Sequence, residues 1–292
     1  RRGFCGCGNQ TVVWGVIKMR NHEVTSAQPL LNEDGRIQEP GWARRPLWQY
    51  DRSRIAAPKF RIKEWDYYLI LSQDYACAFT LSDDGYVGLQ SVSLLNFKEG
   101  WEHAETILNP FPMGKMKMPP SSETGNILYK DKRLRMEFRK EDGRRFISCD
   151  FKDFWKGRPF YCELSLEQPE MDTLAVAIPW QKKKAFYYNH KINCMRAEGY
   201  MAYDDTTWWF DPEQDYGTLD WGRGVWTYDN TWYWGSGNGT VGGRPFGFNI
   251  GYGFGDTSAA TENILYYDGR GHKLDDVVFH IPEGDYMKPW TF

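Results

Sequence analysis

Residues 59–97 read KFRIKEWDYYLILSQDYACAFTLSDDGYVGLQSVSLLNF and contain three runs rich in aromatic and β-branched residues. Short polar breaks separate the runs, at Gln73-Asp74 and at Asp83-Asp84-Gly85. Runs of this length and composition, separated by turn residues, are typical of β-strands joined by hairpins. The stretch therefore predicts three strands of an antiparallel meander.

The same pattern continues on the C-terminal side of this meander. In RLRMEFR, the apolar Leu134, Met136 and Phe138 alternate with charged residues, as a strand with one buried and one solvated face requires. Helical periodicity is nearly absent from the chain. Residues 99–125 contain four prolines and are predicted to form a long loop or an irregular crossing.

The predicted fold is all-β, with two lipocalin-like antiparallel β-barrel, or strongly bent sheet, domains. The lysine-rich QKKK at residues 181–184 marks the boundary, because aromatic residues and glycines become frequent beyond it. We expect an N-terminal β domain at residues 19–180 and a C-terminal one at 185–292 that lacks its last strands. Residues 1–18 are predicted to be a non-native or disordered leader.

Composition excludes several classes of protein. The net charge is −3 and the basic residues are dispersed, which argues against nucleic-acid binding. No run approaches the ~20 apolar residues of a transmembrane helix. The five histidines are scattered and no phosphate-binding or dinucleotide loop is present, so neither a metal nor a cofactor is expected. The six cysteines are interpreted as reduced and mostly buried, and the expected location is cytoplasmic.

The strongest candidate for a site is residues 220–239, DWGRGVWTYDNTWYWGSGNG. Asp220 and Arg223 lie among Trp221 and Trp226, separated by glycines that would let the chain turn tightly. A carboxyl group against indole rings could have a raised pKa and donate a proton. The alternative is a structural ion pair between Asp220 and Arg223.

Other candidates surround this motif. Trp232 and Trp234 are two residues apart, so they are expected to share one strand face and line a cavity or fill a core. Glu262 and Asn263 precede the apolar run ILYY, where they could bind a ligand or cap a turn. Lys191 alternates with its neighbours and could project into the second barrel, or lie on a solvated face.

Several separated motifs, in order GWARRPL, KEWDYY, HKINCMRAEG, DWGRGVW, TWYWGSGNG, TENILYYDGRGHKL and KPWTF, resemble a bacterial family of unknown function, DUF2804. At the level of the fold, the chain resembles the lipocalin-like superfamily of carotenoid hydratases, AttH-type proteins, tocopherol cyclase and fungal Diels–Alderases. That resemblance implies two β-barrel domains.

Three functions remain open. The first is binding of an apolar or amphipathic small molecule, with Trp221, Trp226, Trp232 and Trp234 as walls and with polar groups that orient the ligand. The second is a cofactor-free hydratase, cyclase or isomerase acting on an unsaturated, isoprenoid-like substrate, with Asp220 or Glu262 as proton donor. The third is carbohydrate binding or processing on exposed, coplanar aromatic rings. The sequence does not determine the oligomeric state.

Overall fold

A computed structural model describes residues 21–168, 170–182 and 184–292. The predicted leader at 1–18, together with Cys5 and Cys7, lies outside these residues. The described part contains two short 3-10 turns (Arg52–Arg54 and Lys59–Arg61) and 19 strands: β1 (Gln28–Pro29), β2 (Gly41–Ala43), β3 (Trp48–Gln49), β4 (Lys63–Leu71), β5 (Tyr75–Asp83), β6 (Val87–Asn96), β7 (Trp101–Pro110), β8 (Ile127–Lys130), β9 (Leu134–Glu141), β10 (Arg144–Trp155), β11 (Arg158–Glu167), β12 (Leu174–Pro179), β13 (Phe186–Tyr203), β14 (Thr206–Phe210), β15 (Tyr216–Val225), β16 (Tyr233–Val241), β17 (Arg244–Tyr252), β18 (Ile264–Tyr267) and β19 (Arg270–Lys273).

Most strands belong to one antiparallel sheet in the order β7-β6-β5-β4-β15-β13-β11-β10-β9-β8. Strands β12 and β14 also pair with β13, and β2 pairs with β12. This sheet is strongly curled into a half-barrel. A separate sheet contains β16-β17-β18-β19, and β1 pairs with β3. The predicted all-β fold with strongly bent sheets is confirmed.

The predicted meander is confirmed as β4, β5 and β6, with Tyr68 opposite Phe79 and Phe79 opposite Val92. The loop predicted at residues 99–125 is partly wrong, because Trp101–Pro110 form the ten-residue edge strand β7. Its side chains alternate between half-buried and exposed positions. An edge strand that buries little apolar surface has a weak hydrophobic signal, and the prolines that follow it obscured the alternation.

The 18-residue strand β13 bends at a β-bulge. Its partner in β15 shifts between Ile192 and Met195, and Cys194 has a φ of +58°. The Cys194 backbone N–H donates to Asn238 Oδ1 at 2.9 Å, and the Asn193 amide donates to the Phe248 carbonyl at 3.2 Å. An extra residue in one strand bends it and re-aims its side chains. Here the bulge directs two polar groups of the large sheet toward the four-stranded sheet.

The large sheet continues across the predicted domain boundary. Strands β13 and β15 follow residues 181–184, yet they pair with β11 and β4, which precede them. The division at 181–184 therefore remains a prediction about folding units, since it does not separate two sheets.

Apolar side chains form two clusters, one on each side of the central strands. The larger fills the concave side of the curled sheet, where Tyr68, Phe79 and Trp221 are buried. The smaller includes Tyr187, Trp226 and Ile264 and lies between the large and the four-stranded sheets. Four cysteines, Cys77, Cys149, Cys162 and Cys194, are buried free thiols, in agreement with the prediction for them.

The larger cluster encloses a buried charge network centred on Arg223. Its side chain is completely buried, and Nη2 lies 3.0 Å from Asp66 Oδ1. Nε lies 3.9 Å from Glu64 Oε1. The guanidinium also donates to the carbonyls of Trp65 and Pro119, both at 2.8 Å. A buried charge needs this many partners to offset its lost hydration.

We expect Arg223→Leu to lower the free energy of unfolding by about 3–5 kcal/mol, because it removes the cation 3.0 Å from buried Asp66 and leaves only the more distant Lys140 Nζ, at 3.7 Å. The matched control is Arg244→Leu, which removes an exposed arginine paired with Asp268. That control should change stability by less than about 1 kcal/mol. Urea unfolding of both variants measures the difference. Equal losses would contradict the assignment of Arg223 as the centre of a buried network.

Candidate functional site

A cavity of about 500 Å³ lies between the convex side of the central strands and the segment that carries the four-stranded sheet. Its lining includes the side chains of alternate β4 residues Lys63, Trp65 and Tyr67. The intervening side chains Glu64 and Asp66 point into the other side of the sheet, toward Arg223. Strand alternation therefore builds the pocket wall and part of the buried charge network from five consecutive residues of β4.

The glycines of DWGRG make room for this wall. Gly222 lies opposite Trp65, and a Cβ atom at Gly222 would approach the Trp65 ring to 2.0 Å. A Cβ at Gly224 would lie 2.4 Å from the Phe186 carbonyl oxygen. Both glycines lie within β15. Their role is close approach of a neighbouring ring or backbone, which corrects the expectation of a tight turn.

Asp220 points into the pocket and accepts three hydrogen bonds. Lys191 Nζ is 2.8 Å from Oδ2. Oδ1 accepts from Asn189 Nδ2 at 2.5 Å and from Trp65 Nε1 at 3.3 Å. The pairing of Asp220 with Arg223 considered from the sequence is therefore wrong. Residues three apart in a strand face opposite sides, so Asp220 pairs with Lys191 and Arg223 pairs with Asp66.

Glu262 is the second carboxyl group of the pocket. Its Oε2 lies 3.9 Å from Lys191 Nζ, so the two carboxyl groups share one ammonium. Oε1 is buried without a hydrogen-bond partner among the described residues. Burial raises the pKa of Glu262, and Asp220 raises it further, while Lys191 opposes them. The pocket thus holds a carboxyl group whose pKa is raised above its ordinary value, chiefly by burial.

Aromatic side chains form the walls. Trp226 meets Trp65 edge to face at a centroid distance of 5.3 Å, and Phe254 meets Trp232 in the same way at 5.3 Å. Lys191 Nζ lies over the Trp234 ring, 5.1 Å from its centroid.

Trp232 lies one residue before β16, and Tyr233 also lines the pocket. Trp232, Tyr233 and Trp234 thus all line the pocket, so strand alternation does not separate these three side chains.

Three other candidates lie away from the cavity. Trp221 is buried in the larger cluster, with its ring 4.1 Å from the Arg223 guanidinium carbon. Asn263 Oδ1 accepts from the Gly251 backbone N–H at 2.9 Å, so it fixes the chain between two strands. For Trp221 and Arg223 the cause is again alternation, because both face the concave side of β15. Lys191, Asp220, Trp226, Trp232, Trp234 and Glu262 do line the pocket.

Sequence reasoning missed the β4 and β5 contributions. Trp65 and Tyr67 have the period-two signal in KEWDYY, but an aromatic strand is equally typical of a core. Asp84 was assigned to a turn, yet it lines the pocket and burial raises its pKa to about 6. Tyr187, which stacks on Trp65 at 6.0 Å, gave no distinct signal within the apolar run FYY.

Over the described ranges, no set of three or more His, Cys, Asp and Glu side chains is placed to hold a metal ion. In the same residues, no helix has the length and apolarity needed to cross a membrane.

Among the solved structures that are similar to this chain are two proteins. An AttH protein from Nitrosomonas europaea has a TM-score of 0.47 and 13% identity, covering 80% of this chain and 74% of its own. Kievitone hydratase from Nectria haematococca has a TM-score of 0.40 and 9% identity, covering 72% of this chain and 63% of its own. No curated protein matches the sequence.

The sequence pattern of one family, described as domain of unknown function (DUF2804), matches residues 21–292. This match confirms the resemblance carried by the separated motifs from GWARRPL to KPWTF. The chain belongs to the DUF2804 family.

Proposed function

We propose that this protein binds an apolar or amphipathic small molecule in the cavity between the two sheets. The observation that carries the proposal is the combination of many aromatic rings with a cluster of three charged side chains, Lys191, Asp220 and Glu262. Ligand pockets are typically 300–1,000 Å³, mostly apolar, and contain a few convergent polar groups. The ligand would place its apolar body against the indoles and its polar end near Glu262 Oε1.

The ring geometry favours a pocket ligand over a carbohydrate on a flat platform. Trp65 and Trp226 meet at 88°, and Tyr67 and Trp234 at 84°. Such edge-to-face packing encloses volume, although two other lining rings, Tyr233 and Tyr252, are nearly parallel, at 13°. A cytoplasmic location belongs to the same proposal, and the four buried free thiols support it.

The direct test is native mass spectrometry of the full chain purified from its own host, followed by release and identification of any bound compound. We expect a co-purifying apolar or amphipathic molecule. A protein that is empty, and whose melting temperature does not change with lipids, isoprenoids or glycans, would contradict ligand binding at this pocket.

A fluorescence titration with 1-anilinonaphthalene-8-sulfonate, an amphipathic aromatic probe, tests the location. We expect Trp232→Ala to weaken binding of the probe roughly tenfold, because it removes one exposed aromatic wall. The matched control is Trp209→Ala on β14, which also removes an exposed indole but does not line the pocket. Similar affinities for both variants would place the probe elsewhere.

A second candidate function is acid catalysis on an unsaturated substrate, and it is favoured by the buried Glu262, whose Oε1 has no hydrogen-bond partner among the described residues. In a hydration, the Glu262 carboxyl would protonate one alkene carbon. Water would add to the resulting cation and return a proton to the Glu262 carboxylate. Indole faces next to the carbocation would stabilise its charge. The Asp220 carboxylate already accepts three hydrogen bonds, so Glu262 is the better placed donor.

The compound released from the protein serves as the substrate for this test. We expect Glu262→Gln to abolish conversion while binding remains, since the amide keeps the shape but donates no proton to carbon. Conversion by the native protein should fall as pH rises through the raised pKa of Glu262, because the proton donor is lost above it. Asp84→Asn is the matched control within the same cavity. A fully active Glu262→Gln variant would refute the mechanism.

A further inference from the structure

Exposed apolar side chains cluster around the turn between β5 and β6. We call this surface the turn patch, and it consists of five residues: Phe60, Tyr86, Phe111, Met113 and Tyr228. Single exposed apolar residues are ordinary, whereas a contiguous group marks an interaction surface.

Backbone contacts hold the turn patch together. The Phe111 N–H donates to the Tyr86 carbonyl at 3.0 Å, and the Met113 N–H donates to the Gly85 carbonyl at 3.2 Å. Gly85 has a φ of +79°, and a Cβ atom there would lie 2.5 Å from the Phe60 backbone. The Tyr86 and Tyr228 rings meet at 6.0 Å. Three of the chain segments that form the patch thus meet at Gly85.

The turn patch is continuous with the pocket. Tyr86 and Tyr228 belong to the patch and also line the cavity. Trp232 and Tyr252 line the same cavity and are likewise exposed. These exposed residues belong both to the protein surface and to the lining of the cavity, so the patch adjoins the cavity.

Cationic groups accompany the exposed rings. The half-buried Arg61 has its guanidinium 4.2 Å from the Tyr228 centroid, whereas the Lys63 Nζ that lies 4.6 Å from the Tyr86 centroid belongs to a buried side chain. Lys59 and Lys115 are exposed next to Phe60 and near Met113. Asp229 is the acidic residue exposed beside Tyr228, so cations predominate around the patch.

We propose that the turn patch docks on an anionic lipid bilayer, so that the ligand passes between the membrane and the pocket without entering bulk water. Aromatic rings and basic side chains are the residues that favour the interface of an anionic bilayer. Each CH₂ group that an apolar compound exposes to water raises its free energy, so direct transfer avoids a large barrier. This inference rests on the proposed ligand binding, but the surface can be tested without any ligand.

The experiment measures flotation of the full chain with two kinds of vesicle, one of phosphatidylcholine alone and one in which phosphatidylglycerol replaces part of it. We expect binding to the anionic vesicles, several-fold weaker binding to the neutral ones, and a loss of the difference at high salt. The double variant Phe60→Ser/Phe111→Ser should lose binding about tenfold.

The matched control is Leu128→Ser/Trp209→Ser, which removes two side chains of similar exposure, 52% and 66% against 44% and 59%, from strands outside the patch. Equal flotation of the two double variants, or no flotation of the native chain, would overturn the proposal. If the native chain forms a dimer without lipid and the patch variant does not, the surface would instead be assigned to contact with a second copy.

Neither Phe60 nor Phe111 lines the cavity. The patch variant should therefore still bind 1-anilinonaphthalene-8-sulfonate in the pocket. If the patch variant loses flotation but binds the probe as the native chain does, docking is lost while the pocket is intact.

Discussion

The alternation of side chains along β15 is the constraint on which the structure depends. This strand lies near the middle of the large sheet, between β4 and β13, and both of its faces are covered. It carries a charge on each face, Asp220 on one and Arg223 on the other. Because a buried charge is costly without partners, each face needs its own counter-ion, and β4 and β13 supply them as Asp66 and Lys191. The motifs DWGRG and KEWDYY lie on neighbouring strands, and Arg223 of the first pairs with Asp66 of the second.

The two faces balance their charges differently. On the concave side, Arg223 faces Asp66 and Glu64, and Lys140 Nζ lies 3.7 Å from the second oxygen of Asp66. On the pocket side, one ammonium serves two carboxyl groups. The concave network stabilises the fold, since the positive charges of Arg223 and Lys140 offset the negative charges of Asp66 and Glu64. The pocket keeps an acid without a full partner, which is the condition under which a carboxyl group takes up a proton or binds a polar ligand group.

The all-β class and the first meander could be predicted because period-two patterns and turn residues are local signals. Six of the nine proposed site residues line the pocket, and four of these six, Asp220, Trp226, Trp232 and Trp234, lie in one aromatic motif. Trp221 and Arg223 were placed wrongly because nearness in sequence does not determine the face on which a strand residue lies. Trp65 could not be assigned from the sequence, because its role depends on Gly222, 157 positions later, leaving space beneath its ring. Edge strand β7 was missed because it buries few large side chains.

The four-stranded sheet shares no backbone ladder with the large sheet among the described strands. Side chains join the two, including Asn193 and Asn238, whose amide donates to Thr218 Oγ1 at 2.7 Å. A sheet attached in this way can detach as a unit while the curled sheet keeps its hydrogen bonds. Amide protons of β16 to β19 would then exchange with solvent through a sub-global opening that costs less than complete unfolding. Such an opening also uncovers the cavity, so the same weak attachment gives a bulky molecule a route in and out.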